Sequence, residues 1–193
     1  IIQKSRFIGR CFPVESEEHA LLHLAEIRKR HYDASHNCFA YVIGERGNTA
    51  RYSDDGEPGG TAGLPIMEVL KNKGVTNTLI VVTRYFGGIL LGAGGLVRAY
   101  TRAAADAANA AGIFEIIPGT EFSIFMDYDL YSRLEGFIRE KCEIMDCTFT
   151  DKVEMRVLLP ASESDGFTNS LFDKSSGRVL PKFIGEKRMT KKV

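Results

Sequence analysis

The stretch Thr78-Leu79-Ile80-Val81-Val82-Thr83-Arg84-Tyr85-Phe86-Gly87-Gly88-Ile89-Leu90-Leu91-Gly92-Ala93-Gly94-Gly95-Leu96-Val97-Arg98 decides how this chain is read. It starts as a nearly unbroken apolar run rich in β-branched residues, the composition of a strand covered on both faces. Two glycines lead out of that strand, and Gly92-Ala93-Gly94-Gly95 opens an alanine-rich helix that runs to about Ala111. Glycines placed between a buried strand and a helix permit positive φ and close approach of the backbone to a bound group.

The alternation of strand and helix continues outward on both sides. Arg6 to Val14 has strand composition, Ser16 caps a helix over 17–31, and His36 to Ile43 is a further strand. That helix carries Ala20, Leu21, Leu24, Ala25 and Ile27 at helical spacing, with Arg28-Lys29-Arg30 complementing its negative end. A turn at 44–48 and a glycine- and acid-rich loop from Ser53 to Thr61 precede a short helix over 61–72, and Ile113 to Ile117 closes this half as a strand. Beyond Pro118-Gly119 the pattern is strand 120–127, helix 129–140, strands 143–150 and 152–159, helix 162–174 and strand 178–185. This is the βαββαβ order of ferredoxin-like domains. The basic tail with Lys182, Lys187, Arg188, Lys191 and Lys192 reads as frayed. The expectation is an α+β chain of two domains, a sheet covered by helices over 1–117 and a ferredoxin-like unit over 118–193.

Composition narrows the functional classes. The 193 residues are 44% hydrophobic and 26% charged, with 25 basic and 25 acidic residues, so disorder and a uniformly basic nucleic-acid coat are excluded, while a local basic patch is not. No apolar run approaches the roughly 20 residues that span a bilayer, and nothing reads as a cleavable signal. The cysteines Cys11, Cys38, Cys142 and Cys147 are far apart and form no C-x-x-C pair, which favours reduced thiols over a disulfide framework or a zinc site. A cytoplasmic protein with no cofactor and no membrane partner is expected.

Two clusters carry chemistry. Asp54-Asp55-Gly56-Glu57-Pro58-Gly59-Gly60-Thr61 sets three carboxylates beside turn glycines. They could ligate Mg²⁺ through oxygen, face a basic partner, or order the loop itself, while Gly59, Gly60 and Thr61 place free amides at a helix start. In the second cluster Arg84 and Arg98 can face a phosphate, Tyr85 offers a stacking surface, and Gly87, Gly88, Gly92, Gly94 and Gly95 let backbone come close. The phosphate-loop lysine is missing after Gly92, and Val97 stands where a dinucleotide fingerprint needs its third glycine, so a nucleotide-hydrolysing motor is not supported. Arg98, Arg102 and Asp106 share one helix face, as a solvated ion ladder does. His36 opens a strand beside Ser35 and Cys38, which does not by itself make a nucleophile–base pair.

Four ordered motifs resemble a known family. Lys4-Ser5-Arg6-Phe7-Ile8, Ala34-Ser35-His36-Asn37-Cys38-Phe39-Ala40-Tyr41, Asp54 through Gly63, and Val82 through Gly88 followed by Leu91 through Tyr100 resemble the IMPACT family, including its bacterial YigZ-like members. The resemblance implies a two-layer first domain similar to a fold shared by a ribosomal small-subunit protein and domain IV of the translocation elongation factor. It implies a second domain similar to the last domain of that factor. Eukaryotic relatives act in translational control, and no catalytic residue is implied. The expectation is a non-enzymatic protein that binds structured RNA, the ribosome or a translation-machinery partner. The site would comprise His36, Asp54, Asp55, Glu57, Gly59, Gly60, Thr61, Arg84, Tyr85, Gly87, Gly88, Gly92, Gly94, Gly95 and Arg98. The alternative is a phosphate- or nucleotide-handling enzyme that uses the acidic loop with Mg²⁺.

Overall fold

A computed structural model describes all residues from 1 to 193. Strands β1 (Arg6–Pro13), β2 (His36–Ile43), β3 (Thr49–Ser53) and β4 (Thr78–Tyr85) form an antiparallel sheet in the order β1-β4-β2-β3. Helices α1 (Glu17–Arg30), α2 (Gly63–Asn72) and α3 (Ala93–Ala111) connect and cover it. Phe39, Tyr41, Ile43, Leu79 and Val81 pack with Leu24 and Ile27 of α1. The alternate residues Cys38, Ala40, Val42, Ile80 and Val82 pack with Ile66 and Leu70 of α2 and Leu96 and Tyr100 of α3. Both faces of β2 and β4 are therefore dry, which is why these strands read as apolar runs. Ser16 caps α1 as expected, its Oγ accepting the His19 N–H at 3.1 Å.

The chain divides into two compact units, Ile1–Ile113 and Phe114–Val193. The second comprises β5 (Phe114–Met126), α4 (Tyr128–Lys141), β6 (Glu143–Phe149), β7 (Val153–Pro160), a short 3₁₀ turn, α5 (Ser164–Lys174) and β8 (Lys182–Lys192). Its antiparallel sheet is ordered β6-β7-β5-β8, the ferredoxin-like arrangement, with α4 and α5 packing on one face through Leu130, Leu134, Ile138, Phe167 and Leu171. No helix of either unit is long and apolar enough to cross a membrane.

The α+β class and its two domains stand, with three differences in detail. The first domain has three layers where two were expected, because α1 lies on the opposite face of the sheet from α2 and α3. The strands expected at 113–117 and 120–127 are one strand, β5, that runs through Pro118-Gly119. The proline fits because β7 pairs with β5 only from Gly119 onward, so at Pro118 the strand has β8 alone as neighbour. The basic tail is not frayed, since Lys187 to Lys192 pair with Phe114 to Gly119 as the outer part of β8. Strand β3 carries no sequence signal, because Thr49-Ala50-Arg51-Tyr52-Ser53 is almost wholly exposed and has no apolar alternation.

Gly9 fixes how closely α3 lies on β1. A Cβ there would sit 2.3 Å from the Ala103 carbonyl oxygen and 3.0 Å from the Ala107 Cβ. Neither neighbour can yield without moving the helix. Gly9→Ala should therefore destabilise the first domain by about 1–3 kcal/mol, read as a lowered urea midpoint at unchanged slope.

Candidate functional site

The centre of the site is a buried ion pair. Arg84, at the end of β4, donates from Nη1 to Glu57 Oε1 at 2.6 Å, with side chains only 5% and 3% exposed. The Tyr100 hydroxyl of α3 donates to the same carboxylate oxygen at 2.7 Å, and Arg84 Nη2 donates to Ser5 Oγ at 3.3 Å. Ser5 Oγ also accepts the Gly87 N–H at 3.2 Å, joining the start of the chain to the turn after β4. The guanidinium lies between the rings of Phe7 and Phe86, 5.5 and 5.4 Å from their centroids. Its Nε is buried without a partner.

The aspartates of the loop serve its geometry. Asp54 accepts the N–H groups of Gly60, Ala62 and Gly63 at 2.8–3.0 Å, closing the loop and capping α2. Burial pushes its carboxyl up, and the three amides outweigh that and hold it below the ordinary value of 3.8. Asp55, at φ 45°, accepts the Asn37 N–H at 2.7 Å and the Arg28 guanidinium at 2.6 Å. So Arg28, read from the sequence only as complementing the end of its helix, is tied to the loop. With Glu57 held by Arg84 and Tyr100, all three carboxylates already have strong donors, and their donor set does not suit a hard cation.

His36 sits beside this floor. Its Nδ1 is 2.8 Å from the Asp55 carbonyl, which can only accept, so Nδ1 carries the hydrogen. Nε2 then faces Glu57 Oε1 at 3.8 Å. The Cys38 thiol donates to the Asp54 carbonyl at 2.9 Å, and burial pushes it up to about 12. A thiol in that state is packing material, not a nucleophile.

Above the floor opens a cleft of about 410 Å³, lined by His36, Gly56, Glu57, Arg84, Phe86, Leu90, Leu91, Gly92 and Ala93 among others. The acidic loop and the glycine-rich segment, distant in sequence, thus share one concavity. Gly92, at φ 70°, turns the chain so that α3 begins at its rim, and no side chain caps that helix start. The first amides of a helix lack partners within it, and Gly92 and Ala93 at the start of α3 line the opening.

Of the expected site residues, His36, Glu57, Arg84 and Gly92 line the cleft. Gly94 and Gly95 follow Gly92 in the first turn of α3. Asp54, Asp55, Gly59, Gly60 and Thr61 shape the loop behind it, the Thr61 hydroxyl donating to the Pro58 carbonyl. Gly87 and Gly88 make the turn, with Gly87 pressed against the Lys4 backbone. Arg98 is exposed on α3 outside the lining, where Arg102 and Asp106 pair at 3.8 Å. Tyr85 is not in the site. It follows Arg84 in the strand and so points to the α1 face, bonding to His31 and Asp33. The half-exposed Phe86 takes the place expected for it. Ser5 and Tyr100 lie inside the quoted motifs but were not named as site residues, because only the fold shows that they bond Arg84 and Glu57.

Comparison with known proteins agrees with these motifs. Residues 3–108 match the Impact N-terminal domain, and residues 124–178 match a domain of unknown function, DUF1949. The chain is 38% identical to the IMPACT family member YvyE of Bacillus subtilis, over 92% of this chain and 82% of that protein. It is 37% identical to YigZ of Escherichia coli, over 92% of this chain and 89% of that one. Protein IMPACT of Mus musculus is 35% identical over 47% of this chain and 29% of its own length. A solved structure titled "Crystal structure of an hypothetical protein" is 35% identical, covers 96% of this chain and 91% of its own, and aligns with a TM-score of 0.58.

Three variants test the floor of the cleft and the loop behind it. Glu57→Ala leaves the Arg84 charge buried and unpaired and should cost about 3–5 kcal/mol in a urea melt, most of it recovered by Glu57→Leu with Arg84→Met. Because Asp54 is held below its ordinary value, its contribution is complete above pH 3.8 and is lost as pH falls through the lower folded value. Asp54→Asn should lower stability at neutral pH and flatten that acid limb.

Proposed function

The chain belongs to the IMPACT family, and we propose that it is a non-enzymatic, cytoplasmic protein that binds structured RNA of the translation machinery through the cleft of its first domain. The observation that carries this reading is one pairing: the uncapped start of α3 opens into the same cleft as the exposed face of Phe86. Amides at a helix start receive a phosphate, and an aromatic face receives a base. The Arg84 guanidinium beneath Phe86 is neutralised by Glu57, so it sets the ring and the turn and leaves phosphate contact to the α3 amides. Leu90 and Leu91 make the wall apolar, which suits a ring more than a hydrated ion.

Several features support binding over catalysis. Cys38 is protonated and internally bonded, and the Tyr100 hydroxyl is pushed well above its ordinary range, first by burial and then by Cys38 and Glu57. His36 has one nitrogen committed to the backbone and no hydroxyl or thiol among its hydrogen-bond partners. The enzymatic alternative required Asp54 or Asp55 as a metal ligand or base, and both carboxylates are occupied by amides or a guanidinium.

Gly94→Glu separates binding from folding. Its Cβ would meet only the tip of Arg98 at 3.6 Å, and an acid in the first turn favours the helix dipole. This variant should fold at least as well as the parent and bind a ribosomal RNA fragment about tenfold more weakly at roughly 50 mM salt. Phe86→Ala should lose about fivefold or more, the loss of one stacked base. Filter binding that returns parental affinity for both variants would reject the cleft as the RNA site.

A further inference from the structure

The other face of the first sheet holds a second cluster that the cleft does not use. Arg6 and Arg10 lie opposite Tyr85 and Val81 in the β1–β4 register, so their side chains point to the α1 side of an edge strand. Arg30 ends α1 above them, followed by His31. Arg10 and Arg30 line a groove of about 390 Å³ at the β1 edge, with Glu26 and Ile27 of α1 on one side and Ala107 and Ala110 of α3 on the other. None of Arg6, Arg10 and Arg30 has a carboxylate within ion-pair distance.

A relay of hydrogen bonds aims Arg10. Its Nη2 donates to His31 Nε2 at 2.6 Å, which requires a neutral imidazole. His31 Nδ1 then donates to the Tyr85 hydroxyl at 2.7 Å, and that hydroxyl donates to Asp33 at 3.2 Å. The relay leaves the other end of the guanidinium, Nη1, buried with no acceptor. Burial and then Arg30 lower Arg10 from its ordinary value, and burial followed by Arg10 and Arg30 does the same to His31. The fold therefore holds like charges together and leaves a strong donor unsatisfied. Each condition is unfavourable alone, and a single oxyanion relieves both.

We propose that Arg10, Arg30 and Arg6 form a phosphoryl-binding patch on the α1 face, separate from the cleft, with Arg10 as its aimed donor and His31 as its positioning residue. Arg10 offers paired N–H groups in the planar geometry that suits phosphate oxygens. Glu26 on the groove wall and Asp33 at the end of the relay bound the patch and disfavour a second anion beside the first. The phosphoryl group belongs either to a free phosphate or to an RNA backbone, and the two are separable.

The experiment uses the full chain, isotopically labelled, titrated with inorganic phosphate and, separately, with a short single-stranded RNA at about 50 mM salt. The expected result is movement of the Gly9 to Phe12 and Arg30 to His31 amide signals. Arg10→Gln and Arg30→Gln should each weaken the binding seen there by about tenfold, the loss of one charge-assisted contact. His31→Gln, which still accepts from Arg10, should retain more of that binding than His31→Leu. Saturation by inorganic phosphate alone assigns a free phosphate. RNA binding that excess phosphate does not displace assigns the polymer backbone. Silent signals with both probes, or parental affinity in both arginine variants, would overturn the patch. Arg30 sits at an exposed helix end, so its variant decides the matter even if Arg10→Gln unfolds. The Gly94→Glu variant leaves this face intact, so failure here is distinguishable from failure of the cleft.

Discussion

The Glu57–Arg84 pair is the interaction on which the first domain is organised. Two charges removed from water must meet each other and satisfy their remaining donors and acceptors, or the fold is penalised by several kcal/mol. Meeting most of that demand, with Arg84 Nε left unpartnered, draws together the loop before α2, the end of β4, Tyr100 of α3 and Ser5 near the chain start. Those segments are far apart in sequence. The pair is best understood as a device for register, setting where the loop and the start of α3 must lie for the cleft to exist.

Glycine completes that placement at two points. Gly9 lets α3 press against β1, and Gly92 turns the chain at positive φ so that α3 starts beside the loop. The alanines along α3 serve the same end, since a helix of small residues can lie close on a sheet. The uncapped start of α3 is thus a consequence of packing. On the opposite face, α1 brings Arg30 and His31 over β1 and creates the like-charge crowding around Arg10. One sheet, covered on both sides, presents two chemically different surfaces.

Much of this was legible in the residues. The apolar run Thr78 to Thr83 announced a doubly covered strand, and Ser16 announced the start of α1. The βαββαβ order was readable because periodicity and turns are local properties. The glycine segment and the acidic loop were likewise readable as unusual. Less accessible was the job of each carboxylate. Asp54 and Asp55 look like metal ligands when only their spacing is known, and they become loop staples once their amide partners are seen. Tyr85 and Phe86 show the same limit. Either neighbour could have faced the cleft, and strand parity assigned it to Phe86.

By itself the sequence determined most of the order of elements, though not β3 or the continuity of β5, together with the two domains, the absence of a long apolar span and the segments that carry polar chemistry. These follow from patterns within a few turns of chain, where propensity and periodicity act directly. Only the tertiary structure decided that the two glycine-bearing segments share a cleft and that Arg84 is neutralised. It also decided that α1 forms a third layer and that Arg10 is aimed by His31. Those outcomes depend on which side chains a strand's alternation sends to which face, and on long-range partners that satisfy buried charge. Neither is written in the spacing of residues along a line.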